Sequence, residues 1–201
     1  MRADPIWTAA PRRKTGDSRR QSGVGMIEIL VALLLVSLGL LGIGGLTAAT
    51  FGYNKVAQLR LTGLNLVNDY ADRARLNIYG YDLGSYAIAL SDAAPTTQEM
   101  ADATTAMKAD EAVAVTAARN VATFDRLLFQ RTVANRLPQG RVVVVTTPTN
   151  QVRNLDVWLL WQEPTTRVGD ALFAAGQFNC PSDLTDDEKT IYSCMYFKVG
   201  L

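Results

Sequence analysis

Residues Ile29–Leu46 read ILVALLLVSLGLLGIGGL, eighteen consecutive residues without a charge. That length meets what a helix needs to cross the hydrocarbon of a bilayer, about 17–25 apolar residues. A helix can do so because all its backbone hydrogen bonds close within the segment. The residues before it are of opposite character. Positions 1–23 carry Arg2, Arg12, Arg13, Lys14, Arg19 and Arg20 against Asp4 and Asp17, while the remainder carries 14 basic and 17 acidic residues. A basic block ahead of an apolar helix favours a cytoplasmic N-terminus. Residues 1–23 also contain Pro5, Pro11, Gly16 and Gly23 and show no apolar period. They read as a leader without fixed structure. One charge, Glu28, stands at the head of the apolar run.

Beyond Leu46 the helix has no reason to stop. Thr47 to Ile78 lacks proline, and apolar residues recur at Phe51, Val56, Leu59, Leu64, Val67, Ala71, Ala74 and Ile78. Lys55, Arg60, Asp69, Asp72, Arg73 and Arg75 mark a charged opposite face. The pattern predicts one helix over 25–77, apolar all round in its first half and amphipathic in its second. Gly42, Gly44 and Gly45 weaken it by about 1 kcal/mol each relative to Ala. Gly44, Ala48 and Gly52 place small residues at a spacing of four. This either lets another helix approach closely or reflects tolerance in an Ala/Gly-rich helix.

Residues 79–95 read as a loop. Thr96 with Glu99 forms a capping-box pattern, which predicts a short helix ending near Lys108. A second helical stretch spans Asp110 to Arg136, with Val113, Ala117, Val121, Phe124, Leu127 and Leu128 on one side, and stops at Leu137-Pro138-Gln139-Gly140. The texture then changes to strands. Arg141–Thr147 is a valine run, Thr147-Pro148-Thr149-Asn150 a turn, and Leu155–Gln162 a strand with Leu155, Val157, Leu159 and Trp161 on one face. Ser193–Val199 is a third strand. The chain of 201 residues is expected to be α+β: one domain with a terminal appendage, its amphipathic helix lying on an antiparallel sheet.

Several function classes lose support here. The chain has no histidine, which removes the commonest general base and metal ligand. It contains neither a GxSxG elbow nor a glycine-rich phosphate loop. No enzyme and no cofactor are expected. A net charge of +1 offers no basic excess to neutralise nucleic-acid phosphates. Cys180 and Cys194 are too few for a usual zinc site and would pair in an oxidising compartment. Trp158 and Trp161 fall on opposite faces of one strand, which packing explains better than a ligand box. Asp183, Asp186, Asp187 and Glu188 form an acidic stretch. Its spacing matches no calcium loop, and a solvated loop is the expectation.

The segment Ser22-Gly23-Val24-Gly25-Met26-Ile27-Glu28-Ile29-Leu30-Val31-Ala32-Leu33 resembles the processing site of type IV prepilins: a glycine, four mostly apolar residues, a glutamate, then a long apolar helix. The continuation SLGLLGIGGL is similar to the PilV-type minor pilins, the type IV pilus modification proteins. So are Leu137-Pro138-Gln139-Gly140 leading into a valine strand, and Trp161-Gln162-Glu163 at the end of the next. Val24 stands where phenylalanine or methionine is usual. The resemblance implies a pilin-like fold with three parts: a cleaved leader 1–23, a transmembrane and assembly helix 24–52, and a periplasmic domain 53–201. It implies that an aspartic prepilin peptidase cuts Gly23–Val24 and methylates Val24. Glycine suits a peptide bond that must enter a protease site. Glu28 would pair with the Val24 amine, most readily that of a neighbouring subunit, and set register during assembly. Cys180 and Cys194 would close a C-terminal loop by a disulfide.

Implied partners are other major and minor pilins through the N-terminal helix, the peptidase, and an inner-membrane assembly platform. The implied location is the inner membrane, with a periplasmic domain, and then an extracellular filament. A pseudopilin of a type II secretion system shares the same start, and a membrane-anchored periplasmic enzyme is the more distant reading. Without the resemblance, Glu28 is a helix-start acid favoured by the dipole, and the apolar segment is a signal peptide or plain anchor. A signal peptide has an apolar core of roughly 7–15 residues with a small-residue cleavage site after it. Here the run is longer and carries Glu28 at its head.

Overall fold

The computed structural model describes residues 25–109, 111–149, 152–162 and 179–201. Helix α1 runs from Met26 to Leu76, α2 from Ile78 to Asp82, α3 from Thr97 to Lys108 and α4 from Ala114 to Arg136. Strands β1 (Arg141–Thr149) and β2 (Val152–Trp161) follow, then α5 (Asp186–Ile191) and β3 (Ser193–Gly200). The strands form one antiparallel sheet in the order β1-β2-β3. The chain divides into two compact units between Thr47 and Ala48.

The second unit is an α+β body whose sheet is buried along one face and, at the end that holds Val143, Leu160 and Cys194, on both. Val142, Val144, Leu155, Val157, Leu159 and Trp161 belong to the main core. Leu59, Val67, Tyr70, Ala71 and Ala74 of α1 join them, as do Ala122, Phe129 and Val133 of α4. The intervening positions Val143, Leu160 and Cys194 form a second cluster with Leu184. The two-sided burial explains why β1 begins with consecutive valines rather than an alternating pattern. Gly63 marks the close approach of α1 to the sheet, since a Cβ there would lie 3.0 Å from Leu159 Cδ1. The expected α1 face holds at Leu59, Val67, Ala71 and Ala74. Phe51 and Leu64 are exposed instead, and Gly63 and Tyr70 complete the buried stripe.

Four expectations need correction. The segment 79–95 is not all loop. Asn77 caps α2 by accepting from the Gly80 N–H at 3.2 Å, and its amide donates to the Ala118 carbonyl at 2.8 Å. Gly80 is required there because a Cβ would lie 2.9 Å from that carbonyl oxygen. Ile88 then bridges to Val144. The second correction concerns α4. It begins at Ala114 rather than Asp110, which lies outside the described residues, and it buries Ala118, Ala122, Asp125, Phe129, Gln130 and Val133. The face is rotated from the expected one because it includes two polar residues that find their place only in the fold.

The third correction concerns the turn expected at Thr147-Pro148-Thr149-Asn150. β1 continues through Thr149, paired to Val152. The Ile88 bridge uses both backbone groups of Val144, so the even positions of β1 face away from β2. Pro148 is one of them, and its missing N–H costs the ladder no bond. At the next pair the Tyr81 hydroxyl is inserted between the strands. It accepts from the Thr147 N–H at 3.2 Å and donates to the Asn154 carbonyl at 2.6 Å. Fourthly, Asp186, Asp187 and Glu188 of the acidic stretch form the first turn of α5, and Asp183 lies in the turn before it. The Thr185 side chain caps the Glu188 N–H and Glu188 returns the bond to Thr185, a complete capping box.

Candidate functional site

In the first unit the described residues are α1 up to Thr47, and their exposed surface is apolar. Its most apolar eighteen-residue window has a mean hydropathy of 2.6, and none of it is buried. A soluble core helix of this composition would be covered by other elements. Here Leu30, Leu33, Leu35, Leu41 and Leu46 are all more than half exposed. The few polar side chains are satisfied within the helix: Ser37 Oγ donates to the Leu34 carbonyl and Thr47 Oγ1 to the Ile43 carbonyl, both at 2.8 Å. Such back-bonding hides a hydroxyl where water is absent. Helical hydrogen bonding runs unbroken through Gly42, Gly44 and Gly45. A Cβ at Gly39, Gly42, Gly44, Gly45 or Gly52 would meet nothing within 4 Å, so packing among the described residues does not account for these glycines. This segment is compatible with a single-pass membrane anchor.

Glu28 lies in the first turn of α1 and is exposed. Its backbone N–H donates to the Gly25 carbonyl at 2.8 Å, and the helix dipole favours an acidic residue in the first turn. Its flanking neighbours are apolar: Met26, Ile27, Ile29 and Leu30. A carboxylate in such a setting is expensive in a bilayer unless a partner is supplied. Gly23 and Val24, the expected cleavage and methylation residues, lie outside the described residues. So does Glu163 of the Trp161-Gln162-Glu163 passage.

Cys180 and Cys194 form a disulfide with Cα atoms 5.1 Å apart. It joins the first residues of β3 to the segment that precedes α5. Trp161 is in the main core, while Trp158 on the other face packs its ring 4.9 Å from that of Tyr196. The two tryptophans therefore serve separate surfaces. Of the acidic stretch, Glu188 is held by its cap and by Arg141 at 2.9 Å, and Asp186 by Lys189 at 3.0 Å. The Thr185 backbone N–H, then Arg141, hold the Glu188 carboxyl below the usual range.

Two polar sites were missed by sequence reasoning. One is Asp125, buried in α4, which accepts from Tyr86 Oη at 2.8 Å and from Arg73 at 3.2 Å. The other is Gln130, one turn further on and also buried. Neither could be found from helical period, since each interrupts an apolar face. The capping box of α5 was legible, because Thr185-x-x-Glu188 repeats the pattern of Thr96-x-x-Glu99. Compared with family models, with curated proteins and with solved structures, the chain matches none.

Proposed function

We propose that the protein is a minor pilin of a type IV pilus, a structural and assembly subunit that helps to prime or cap the filament. The observation that carries this reading is α1: a helix of 51 residues whose first half exposes apolar side chains on every side and whose second half is seated on an antiparallel sheet. The same element is thus equipped for lipid and for folding a polar domain. Glu28 at its head supplies the assembly chemistry. After cleavage at Gly23–Val24 and methylation of Val24, a neighbouring subunit offers a cationic amine at the depth of Glu28. In a low-dielectric helix bundle that pair fixes axial register, because any slip leaves a charge buried and unpaired. The disulfide between Cys180 and Cys194 suits an exported domain. The leader is the cytoplasmic part before processing, and the domain folds in the periplasm.

The test compares wild type with Glu28→Leu at matched expression. The leucine variant removes a costly charge, so membrane insertion is retained, and the scissile bond is untouched. The expected result is cleavage as before, with the ratio of protein in sheared filaments to protein in membranes falling at least tenfold. N-terminal sequencing of filament-associated protein should read Val-Gly-Met-Ile-Glu with a methylated first residue. An unchanged ratio, or a mature start near Ala48, would overturn the reading.

A further inference from the structure

A cleft of about 420 Å³ opens beside the start of β1, between the end of α4, Tyr192 and the segment that follows Ile88. Its backbone geometry follows from the Ile88 bridge. Ile88 exchanges both hydrogen bonds with Val144, at 3.0 and 2.9 Å. Strand alternation then sends the N–H and C=O of Val142 out from the same edge. The chain does not continue along that edge. It turns at Leu90–Ser91, where the Asp92 N–H donates to the Ala89 carbonyl at 3.1 Å, and Arg141 takes the Leu90 carbonyl at 2.8 Å. Among the described residues, no backbone group pairs with the outward side of Val142, which lines the cleft.

A second observation comes from α4. Gln130 lines the same cleft and is only 5% exposed. Among the described residues its amide has no hydrogen-bond partner, and it keeps access to the cleft. An amide that no group of the chain engages, held on a buried side chain and reachable from the cleft, keeps its donors and acceptor free for a ligand. The charged groups nearby are already neutralised. Arg141 donates to Glu188 at 2.9 Å, and Asp92 accepts from the Ala89 N–H at 3.1 Å and faces Arg126 at 4.0 Å. An anionic ligand would have to displace Glu188 from Arg141.

We propose that this cleft binds an extended peptide segment with uncharged side chains, which adds to the sheet at Val142 and is held by the Gln130 amide. A peptide group offers one donor and one acceptor. It matches the outward N–H and C=O of Val142 at the strand spacing of about 4.8 Å, and it matches the amide of Gln130 in the same reciprocal way. Sugar hydroxyls carry no such alternation.

The test uses the full chain in detergent micelles and a displayed library of linear hexapeptides. Enriched peptides are synthesised and their affinities measured against wild type, Gln130→Met, Val142→Pro and the remote control Val152→Thr. Both cleft variants should bind at least tenfold more weakly and the control equally well. Gln130→Met loses no hydrogen bond within the chain, so its thermal midpoint should equal or exceed that of wild type. Hydrogen exchange of the Val142 amide should be fast in the free protein and slowed by peptide. Should Val142→Pro fail to fold, Gln130→Met and the exchange measurement still decide. Three results would overturn the proposal: no enriched peptide, enriched peptides indifferent to Gln130→Met, or Gln130-dependent binding of neutral oligosaccharides in place of peptide.

Discussion

Asp125 is the residue on which three elements meet. It projects from α4 into the core and is 5% exposed, where an unpaired carboxylate would be costly. Tyr86 and Arg73 meet that need, and Tyr70 ties the same point by donating to the Tyr86 carbonyl at 2.6 Å. The Tyr70 ring stacks on Phe129 at 4.2 Å. Burial, reinforced by the Asp125 carboxylate, pushes the Tyr86 hydroxyl well above its ordinary value, and burial does the same to Tyr70. A raised value in the folded state means stability that is full below the ordinary tyrosine value of about 10 and is lost as pH rises beyond it. Tyr86→Phe removes a donor from a buried carboxylate and should cost about 2 kcal/mol in urea unfolding at neutral pH. The variant should also show a shallower loss of stability above about pH 10 than wild type. A second residue-scale prediction concerns the turn after α4. The Gly140 N–H donates to the Leu137 carbonyl at 3.0 Å, with Pro138 and Gln139 between them. Gln139 takes a φ of 51°, a left-handed conformation usual for glycine. Gly140 cannot be moved to that position, because a Cβ at 140 would collide with the Val133 carbonyl oxygen. Gln139→Gly should therefore raise stability by about 0.5–1 kcal/mol, whereas Gly140→Ala should lower it. Chemical unfolding of the two variants measures both signs.

At the scale of elements, α3 and α5 depend on the same device. Each opens on a threonine whose hydroxyl caps the N–H three residues on, and each receives the reciprocal bond from a glutamate. The Thr96 backbone N–H holds the Glu99 carboxyl below its ordinary range, as that of Thr185 does for Glu188. A depressed value means that the contribution is present above the ordinary glutamate value of about 4.3 and is lost as pH falls below it. Both helix starts should fray together as pH falls below the ordinary glutamate value of about 4.3, visible as faster exchange of the amides at Glu99 and Glu188. Thr96→Ala should cost about 1 kcal/mol and move the Glu99 carboxyl only part of the way back toward its ordinary range, because the backbone N–H at position 96 remains. Protection that stays the same in Thr96→Ala as in wild type would mean that the box of α3 adds nothing. α5 is the more sensitive of the two, since it has only six residues and Glu188 also holds Arg141.

At the scale of the molecule, one face of the sheet carries the main core and the other is covered at one end by a smaller cluster, which the disulfide guards. Cys194 belongs to the cluster of Val143, Leu160 and Leu184, and half-buried Cys180 packs against it. The cross-link spans fourteen residues. Closing a loop of that size in the unfolded chain stabilises the native state by about 3 kcal/mol. The double variant Cys180→Ser/Cys194→Ser should lose stability on that order, with the second cluster exchanging faster than the first. Wild type under denaturing, non-reducing conditions should show no free thiol. Equal stability of wild type and the double variant would make the bond incidental. Leu59, Gly63 and Val67 should be unaffected, because α1 rests on the opposite face.

The long helix was legible because its causes are local: a charge-free run, a following 3.6-residue period, and no proline from Ile29 to Ile78. The three strands, the α3 cap and the place where α4 stops were equally local. The Thr185 cap could have been read the same way. Tertiary structure alone decided which face of α4 is buried, since Asp125 becomes tolerable inside only when Tyr86 and Arg73 arrive from 39 and 52 residues away. It also decided α2, whose Gly80 and Asn77 are explained by a carbonyl of α4. The passage of β1 through Pro148 depended on that strand being an edge. The unpaired amide of Gln130 left no trace in the sequence, where a glutamine in a helix is ordinary. Local propensity and period thus set the elements and their ends. Burial of polar groups was settled by partners distant in the chain.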